Sequence, residues 1–172
     1  MIDPSTSARL AGQVQRYATW PTLHTQSNGE HTWQVMRIFI EIFGAPAPEV
    51  TEFMLHHDTT ELILGDPPFP LKRDNPVLKT IYTGLEPEAE MRIRGRVSPR
   101  LPEADRWRVK FCDVAEMWEF GMTEVDMGNR YAEMIEERTR EELSRLLTVA
   151  PEGLWTIPAI EWVNSKESEY RS

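Results

Sequence analysis

The chain has 172 residues, of which 40% are hydrophobic and 27% charged, a composition that predicts one globular domain with room for a sizeable core. Its net charge of -9 and pI near 5.0 exclude a general nucleic-acid surface, which needs a basic face to meet phosphate. No apolar run reaches the roughly 18 residues that span a bilayer.

Cys112 is the only cysteine, so no internal disulfide is possible and a reducing compartment is the simplest expectation. Residues Met1 to Ser5 lack the basic start and apolar core of a signal peptide. The expected location is therefore cytoplasmic.

Helical periodicity dominates, without repeats or low-complexity segments. A first helix is predicted from Ser7 to about Tyr17, followed by a loop from Ala18 to Gly29 with Trp20-Pro21 and Asn28-Gly29 as turn signals. Ser27-Asn28-Gly29-Glu30 has the form of a capping box. The helix it opens runs to about Phe43, and its spacing puts His31 on one face with Val35, Ile38, Phe39 and Ile42. Gly44-Ala45-Pro46 stops it. The next helix is predicted from Pro48 to about Leu64, with Val50, Met54, His57 and Glu61 on one face and Asp58 beside it.

Gly65 to Pro70 forms a proline-stiffened loop. Asn75 to about Arg94 is helical but broken near Gly84 or Pro87. A basic connection, Arg96 to Arg100, leads to a long helix over about Pro102 to Phe120. Trp107, Phe111, Val114 and Trp118 are its core stripe, and Val109, Asp113, Glu116 and Phe120 a second face. A last long helix spans about Thr123 to Leu147, where the charged run from Glu136 to Arg145 is an exposed face laced with i,i+4 pairs. Residues 1–150 are thus expected to form one domain. The tail 151–172, with Trp155 and Trp162, packs on that body or on a neighbouring subunit. Six tryptophans supply apolar contacts for the expected homo-oligomer.

Across these helices, His31, His57, Asp58 and Asp113 lie on or beside inward faces. A carboxylate is costly to bury unless it is paired or binds a metal, and a shared metal accounts for all four. Two imidazoles and two carboxylates form a ligand set for a divalent transition ion such as Zn, Co or Mn. Water on such an ion is a hydrolytic nucleophile at neutral pH. His56 points about 100° away from His57 on a helix and is read as a packing or supporting residue. Cys112 is read as a small buried apolar side chain.

The string His57-Asp58-Thr59-Thr60-Glu61, then Gly65-Asp66, then Pro70-Leu71-Lys72 resembles the HD-domain phosphohydrolases. Trp20-Pro21 ahead of Glu30-His31, and Lys110-Phe111-Cys112-Asp113, are similar to the branch holding bacterial 5′-deoxynucleotidases and phage-encoded dATP triphosphohydrolases. The resemblance covers about Tyr17 to Phe120 and implies an all-α HD-domain helical bundle with the metal site in its core. It implies that His31, His57, Asp58 and Asp113 hold one divalent metal, with Mg as a second ion for a triphosphate. Glu61 would orient or deprotonate the attacking water, and Asp66 would lie near the ribose. Trp20 would exclude a 2′-hydroxyl, Pro70 and Thr22 would wall the base, and Lys72 would meet phosphate. The family carries Arg immediately before the loop Trp; here that position is Thr19, with Arg16 and Arg73 as substitutes.

The implied partner is a small deoxynucleotide, in a bacterial cell or a phage-infected host. The compact chain favours a dATP-directed triphosphohydrolase over a 5′-deoxynucleotidase acting on monophosphates. Two other possibilities are a hydrolase of guanosine tetraphosphate or cyclic dinucleotides, and a non-catalytic nucleotide-binding regulatory protein. The Trp20-Pro21 loop disfavours the first, and the complete ligand set with Glu61 the second.

Overall fold

The computed structural model describes residues 4–67, 75–151 and 156–170. In chain order the helices are α1 (Pro4–Ala11), α2 (Asn28–Phe43), α3 (Pro48–His56), α4 (Glu61–Leu64), α5 (Pro76–Arg94), α6 (Glu103–Asp126), a 3-10 turn (Arg130–Ala132), α7 (Glu133–Val149) and α8 (Thr156–Tyr170). Among the described residues the β pairing is one isolated antiparallel bridge, Gln15 with Ser27. No helix among them is long and apolar enough to cross a membrane.

The core forms around α6. Its Phe111, Val114 and Trp118 are buried with Val35 and Ile38 of α2 and with Leu143 and Leu146 of α7. This is the stripe that the spacing of four, three and four picks out. Trp162 of α8 closes one side, its ring edge-on to Phe111 and Trp118 at centroid distances of 6.5 and 6.2 Å. Its indole Nε1 donates to Glu41 at 3.2 Å.

Four predicted boundaries move, each for a physical reason. The first helix ends at Ala11 instead of Tyr17, because the chain after Gly12 turns into the bridge with Ser27. There Arg16 N–H donates to the Gln26 carbonyl at 2.9 Å, and Gly29 N–H to the Gly12 carbonyl at 2.9 Å. A Cβ on Gly29 would sit 3.0 Å from that carbonyl oxygen. The helix expected over Pro48–Leu64 divides into α3 and α4 at residues 57–60. In contrast, α5 is continuous through Gly84 and Pro87, both exposed. Pro87 forfeits one helical hydrogen bond where solvent can replace it. Likewise α6 runs through Gly121 to Asp126, so the last long helix begins at Glu133 instead of Thr123. Gly121 serves packing: a Cβ there would lie 2.8 Å from the backbone N of Glu136 on α7. Only glycine lets the two helix backbones approach so closely.

The C-terminal end of α6 fixes the loop that carries Trp20. Glu124 is fully buried and accepts from Leu23 N–H at 2.6 Å, His24 N–H at 2.7 Å and Asn129 Nδ2 at 2.6 Å. Asn129 Nδ2 also donates to the Pro21 carbonyl at 2.8 Å. Burial alone would raise the Glu124 pKa, but these donors outweigh it and hold the carboxyl below its ordinary 4.5. A depressed folded-state pKa means stability that is complete above the ordinary value and lost as pH falls through the folded one. Glu124→Gln is expected to cost about 1.5–3 kcal/mol at pH 7, the range for hydrogen bonds to a charged group. Denaturant titrations of both proteins at falling pH should show this gap closing below 4.5; a gap independent of pH would contradict the assignment.

Candidate functional site

The Ser27 hydroxyl caps α2 by accepting Glu30 N–H at 3.2 Å. The box is half made, since Glu30 turns to His24 at 2.8 Å instead. The cap sets the first turn of α2, from which His31 enters the core fully buried. His57 and Asp58 come from the tightened turn between α3 and α4, and Asp113 from the middle of α6. His31 Nε2 lies 3.2 Å from Asp113 Oδ1, 3.3 Å from His57 Nε2 and 3.5 Å from Asp58 Oδ2. His57 Nε2 is 3.3 Å from the same Asp58 oxygen. One ligand atom each from His31, His57 and Asp113 fall within 4.8 Å of one another.

His57 and Asp58 both reach this point from the break between α3 and α4. On a regular helix His57 and Asp58 would diverge by about 100°. Here Thr59 N–H bonds to His56 O at 3.0 Å, Glu61 N–H to Asp58 O at 3.1 Å and Leu62 N–H to Thr59 O at 3.3 Å. These i to i+3 bonds interrupt the regular helix, and across them His57 Nε2 and Asp58 Oδ2 lie 3.3 Å apart. His56 turns away to Thr59 Oγ1 at 3.3 Å.

The donor set fits a divalent ion. His57 Nδ1 bonds to the Met54 carbonyl at 2.7 Å, which leaves the Nε2 lone pair facing the cluster. His31 Nδ1 is held by Glu116, so its Nε2 also faces inward. Two inward imidazole nitrogens beside two carboxylates are the ligand chemistry of zinc-type centres.

Glu116 is a residue that the sequence reading placed on a face without a role. It is buried, and its second oxygen accepts from Gln26 Nε2 at 2.6 Å. A carboxylate behind a ligating histidine orients the ring and raises its basicity. Its signal in the sequence was its position three residues after Asp113 on one face of α6.

Charges in the cluster are mutually balanced. Arg16 Nη1 meets Asp58 Oδ2 at 2.7 Å and Lys110 Nζ meets Asp113 Oδ2 at 2.7 Å. Burial would raise the Asp113 carboxyl, but Lys110, His31 and His57 hold it well below the usual range. Asp58 is lowered against its own burial by His57, Arg16 and His31. Burial and Arg16 work to lower His31, yet Glu116 and Asp113 push it up to about 9. Glu61 goes the other way. Burial, then the charges of Asp58 and Asp66, raise it to about 8, while Asn28 Nδ2 donates to it at 2.8 Å.

The cluster opens onto a cavity of about 170 Å³ lined by Asp58, Glu61, Asp66, Lys110 and Asp113 on one side and by Arg16, Tyr17, Thr19 and Trp20 on another. Met117, Met134, Ile135, Arg138 and Thr139 of the α6–α7 hairpin complete it. Tyr17 has φ 56°, the one positive value on a non-glycine among the described residues. Its ring stacks on Phe120 at 4.6 Å. Tyr17 Oη and Arg16 Nε are buried without a hydrogen-bond partner, a costly arrangement that a polar guest in the cavity would relieve. The half-buried Trp20 donates its Nε1 to the Tyr131 carbonyl at 3.2 Å.

The structure thus brings together His31, His57, Asp58, Asp113, Glu61, Asp66, Arg16 and Trp20. Thr22 does not line the cavity, because the loop turns past Pro21 toward Glu124. Pro70 and Lys72, with Arg73, lie outside the described residues. The α7 face, read from the sequence as solvated, is the part of the wall that was missed.

The family model of 5′-deoxynucleotidase YfbR-like proteins matches residues 8–152. The chain belongs to this family. A dATP triphosphohydrolase of cyanophage S-2L is 34% identical over 114 residues, and the match spans 62% of this chain and 62% of that relative's length. The structure of the cyanophage S-2L HD phosphohydrolase DatZ, bound to dA and one catalytic Zn²⁺ ion, aligns with a TM-score of 0.75 at 24% identity. The alignment covers 99% of this chain and 98% of that one, so the fold is the all-α HD-domain bundle with its His/Asp cluster in the buried core.

If Glu116 orients His31, Glu116→Gln should weaken zinc binding by about 10–100-fold, the usual cost of removing such a support. Competition against a chromogenic chelator measures this directly. An unchanged affinity would remove Glu116 from the site.

Proposed function

We propose that this protein is a metal-dependent phosphohydrolase that removes 5′-phosphate from deoxynucleotides, with dATP the favoured substrate. The observation that carries it is the convergence of His31, His57 and Asp113, with Asp58 Oδ2 3.5 and 3.3 Å from the two imidazoles, beside a cavity onto which Asp58, Asp113 and Glu61 open. The relationship to a dATP triphosphohydrolase, and a fold shared with a protein that binds dA, support the choice of substrate.

His31, His57, Asp58 and Asp113 would hold the ion. A divalent ion there would lower the pKa of water and offset charge on phosphoryl oxygens. Glu61 is positioned to orient the attacking water and accept its proton. Asn28 Nδ2 fixes one of its oxygens at 2.8 Å. Arg16 and Lys110 place positive charge where phosphate would approach. Trp20 packs beside the sugar and leaves no room for a 2′-hydroxyl, with Asp66 reading the remaining hydroxyl. α8 packs against the core of this body through Trp162.

A second reading, a 5′-deoxynucleotidase acting on monophosphates, is favoured by the family description itself. A panel of dNTPs, dNMPs and ribonucleotides, assayed with Zn²⁺, Co²⁺ or Mn²⁺, separates the two by product. dATP is expected to outrun both dAMP and ATP; preference for dAMP would establish the second reading, and equal use of ATP would remove Trp20 from sugar selection. Glu61→Gln should lower kcat by about 10²–10⁴-fold, the span of general acid–base catalysis, while zinc uptake persists. Near-normal turnover would reassign the proton acceptor.

A further inference from the structure

We propose that Arg138 of α7 is the cation that reads the phosphates beyond the first, and so selects a polyphosphate over a monophosphate. This rests on the phosphohydrolase function proposed above. Among the described residues three cations line the cavity: Arg16, Lys110 and Arg138. Arg16 is taken by Asp58 and Lys110 by Asp113. Arg138 is half-buried, lines the cavity, and makes no hydrogen bond or ion pair among the described residues, although Arg140, two residues on, reaches both Glu136 and Glu167. Thr19, immediately before Trp20 in the cavity wall, carries no charge.

The helix geometry sets which phosphates Arg138 can meet. Gly121 of α6 stands against Glu136 of α7, and Trp118 Nε1 donates to Glu136 at 3.2 Å. The helices are antiparallel, since Lys110 near the start of α6 feels Glu142 further along α7. Asp113 lies about 12 Å along the axis from Gly121, at 1.5 Å per residue. Arg138 is displaced from Glu136 by about 3 Å in the same direction. About 9 Å of axis then separates Arg138 from Asp113. A phosphoryl group held at the ligand cluster lies beyond Arg138, whereas a chain of phosphates leading away from it along the α7 wall approaches the guanidinium. A charge-assisted arginine–phosphate pair is strong and frequently bidentate.

The test compares the wild type with Arg138→Gln and Arg138→Lys, all zinc-loaded and checked for unchanged helicity. Calorimetry measures binding of inorganic tripolyphosphate, and steady-state kinetics follow dATP and dAMP. Arg138→Gln is expected to weaken tripolyphosphate binding about tenfold and to lower the dATP-to-dAMP ratio of kcat/KM about tenfold, mainly through KM for dATP. Arg138→Lys should recover part of both. An unchanged ratio with unchanged tripolyphosphate binding overturns the proposal. So does an equal loss on dATP and dAMP, which would place Arg138 at the sugar or base. Should the wild type turn over neither nucleotide, the proposed function falls, and tripolyphosphate binding alone still decides the role of Arg138.

Discussion

The rest of the structure depends on holding ionised groups together in a nearly dry core. Asp58, Asp113 and Glu116 converge on His31, which has no exposed surface. An uncompensated buried charge costs several kcal/mol, so the fold must bring a counter-charge to each. Arg16 arrives from the arm after α1, Lys110 from one turn before Asp113, and His31 itself answers Glu116. These partners come from separate parts of the chain, so the centre is completed only when the tertiary fold closes. A metal would add positive charge to an arrangement whose carboxylates already lie at hydrogen-bond distance from the imidazoles.

That requirement explains local features which otherwise look unfavourable. The turn at residues 57–60 gives up regular helical bonds, and the two residues it carries, His57 and Asp58, both reach the ligand cluster. Tyr17 sits in left-handed backbone, which is strained for a residue with a Cβ, and the stack on Phe120 together with the bridge at Gln15 and Ser27 holds it there. Strain of this kind gathers where a side chain must be aimed, and Tyr17 is aimed between Arg16 and Trp20.

What could be read from the sequence follows the same division. The helical period placed His31 with Val35 and Ile38, and Asp113 with Glu116, because an inward face repeats every three or four residues whatever it packs against. The ordered His-Asp-Glu and Lys-x-x-Asp strings carried the resemblance to the HD-domain phosphohydrolases, and the resemblance implied the fold. Features that depend on a second element were not readable. Glu116 gains its meaning from Gln26, distant in the chain. Gly121 resembles a helix stop unless α7 is known to lie against it. The run from Glu136 to Arg145 carries the charge pattern of a solvated face, and only the close approach at Gly121 rotates Arg138 and Thr139 toward the cavity. Gly84 and Pro87 misled for the opposite reason: at an exposed position a helix tolerates them.

The two ends of the site are not independent. Asp58 Oδ2 is the one oxygen within reach of His31, His57 and Arg16 at once, at 3.5, 3.3 and 2.7 Å. A cation drawing on that oxygen competes with Arg16, whose Nε already lacks a partner. Weakening the pair leaves a buried guanidinium short of negative charge, a state that favours an incoming anion by the same electrostatics that keep Asp58 ionised. Asp58 therefore ties Arg16 to the ligand cluster. The link is built from one carboxylate oxygen placed by the turn that interrupts the helix.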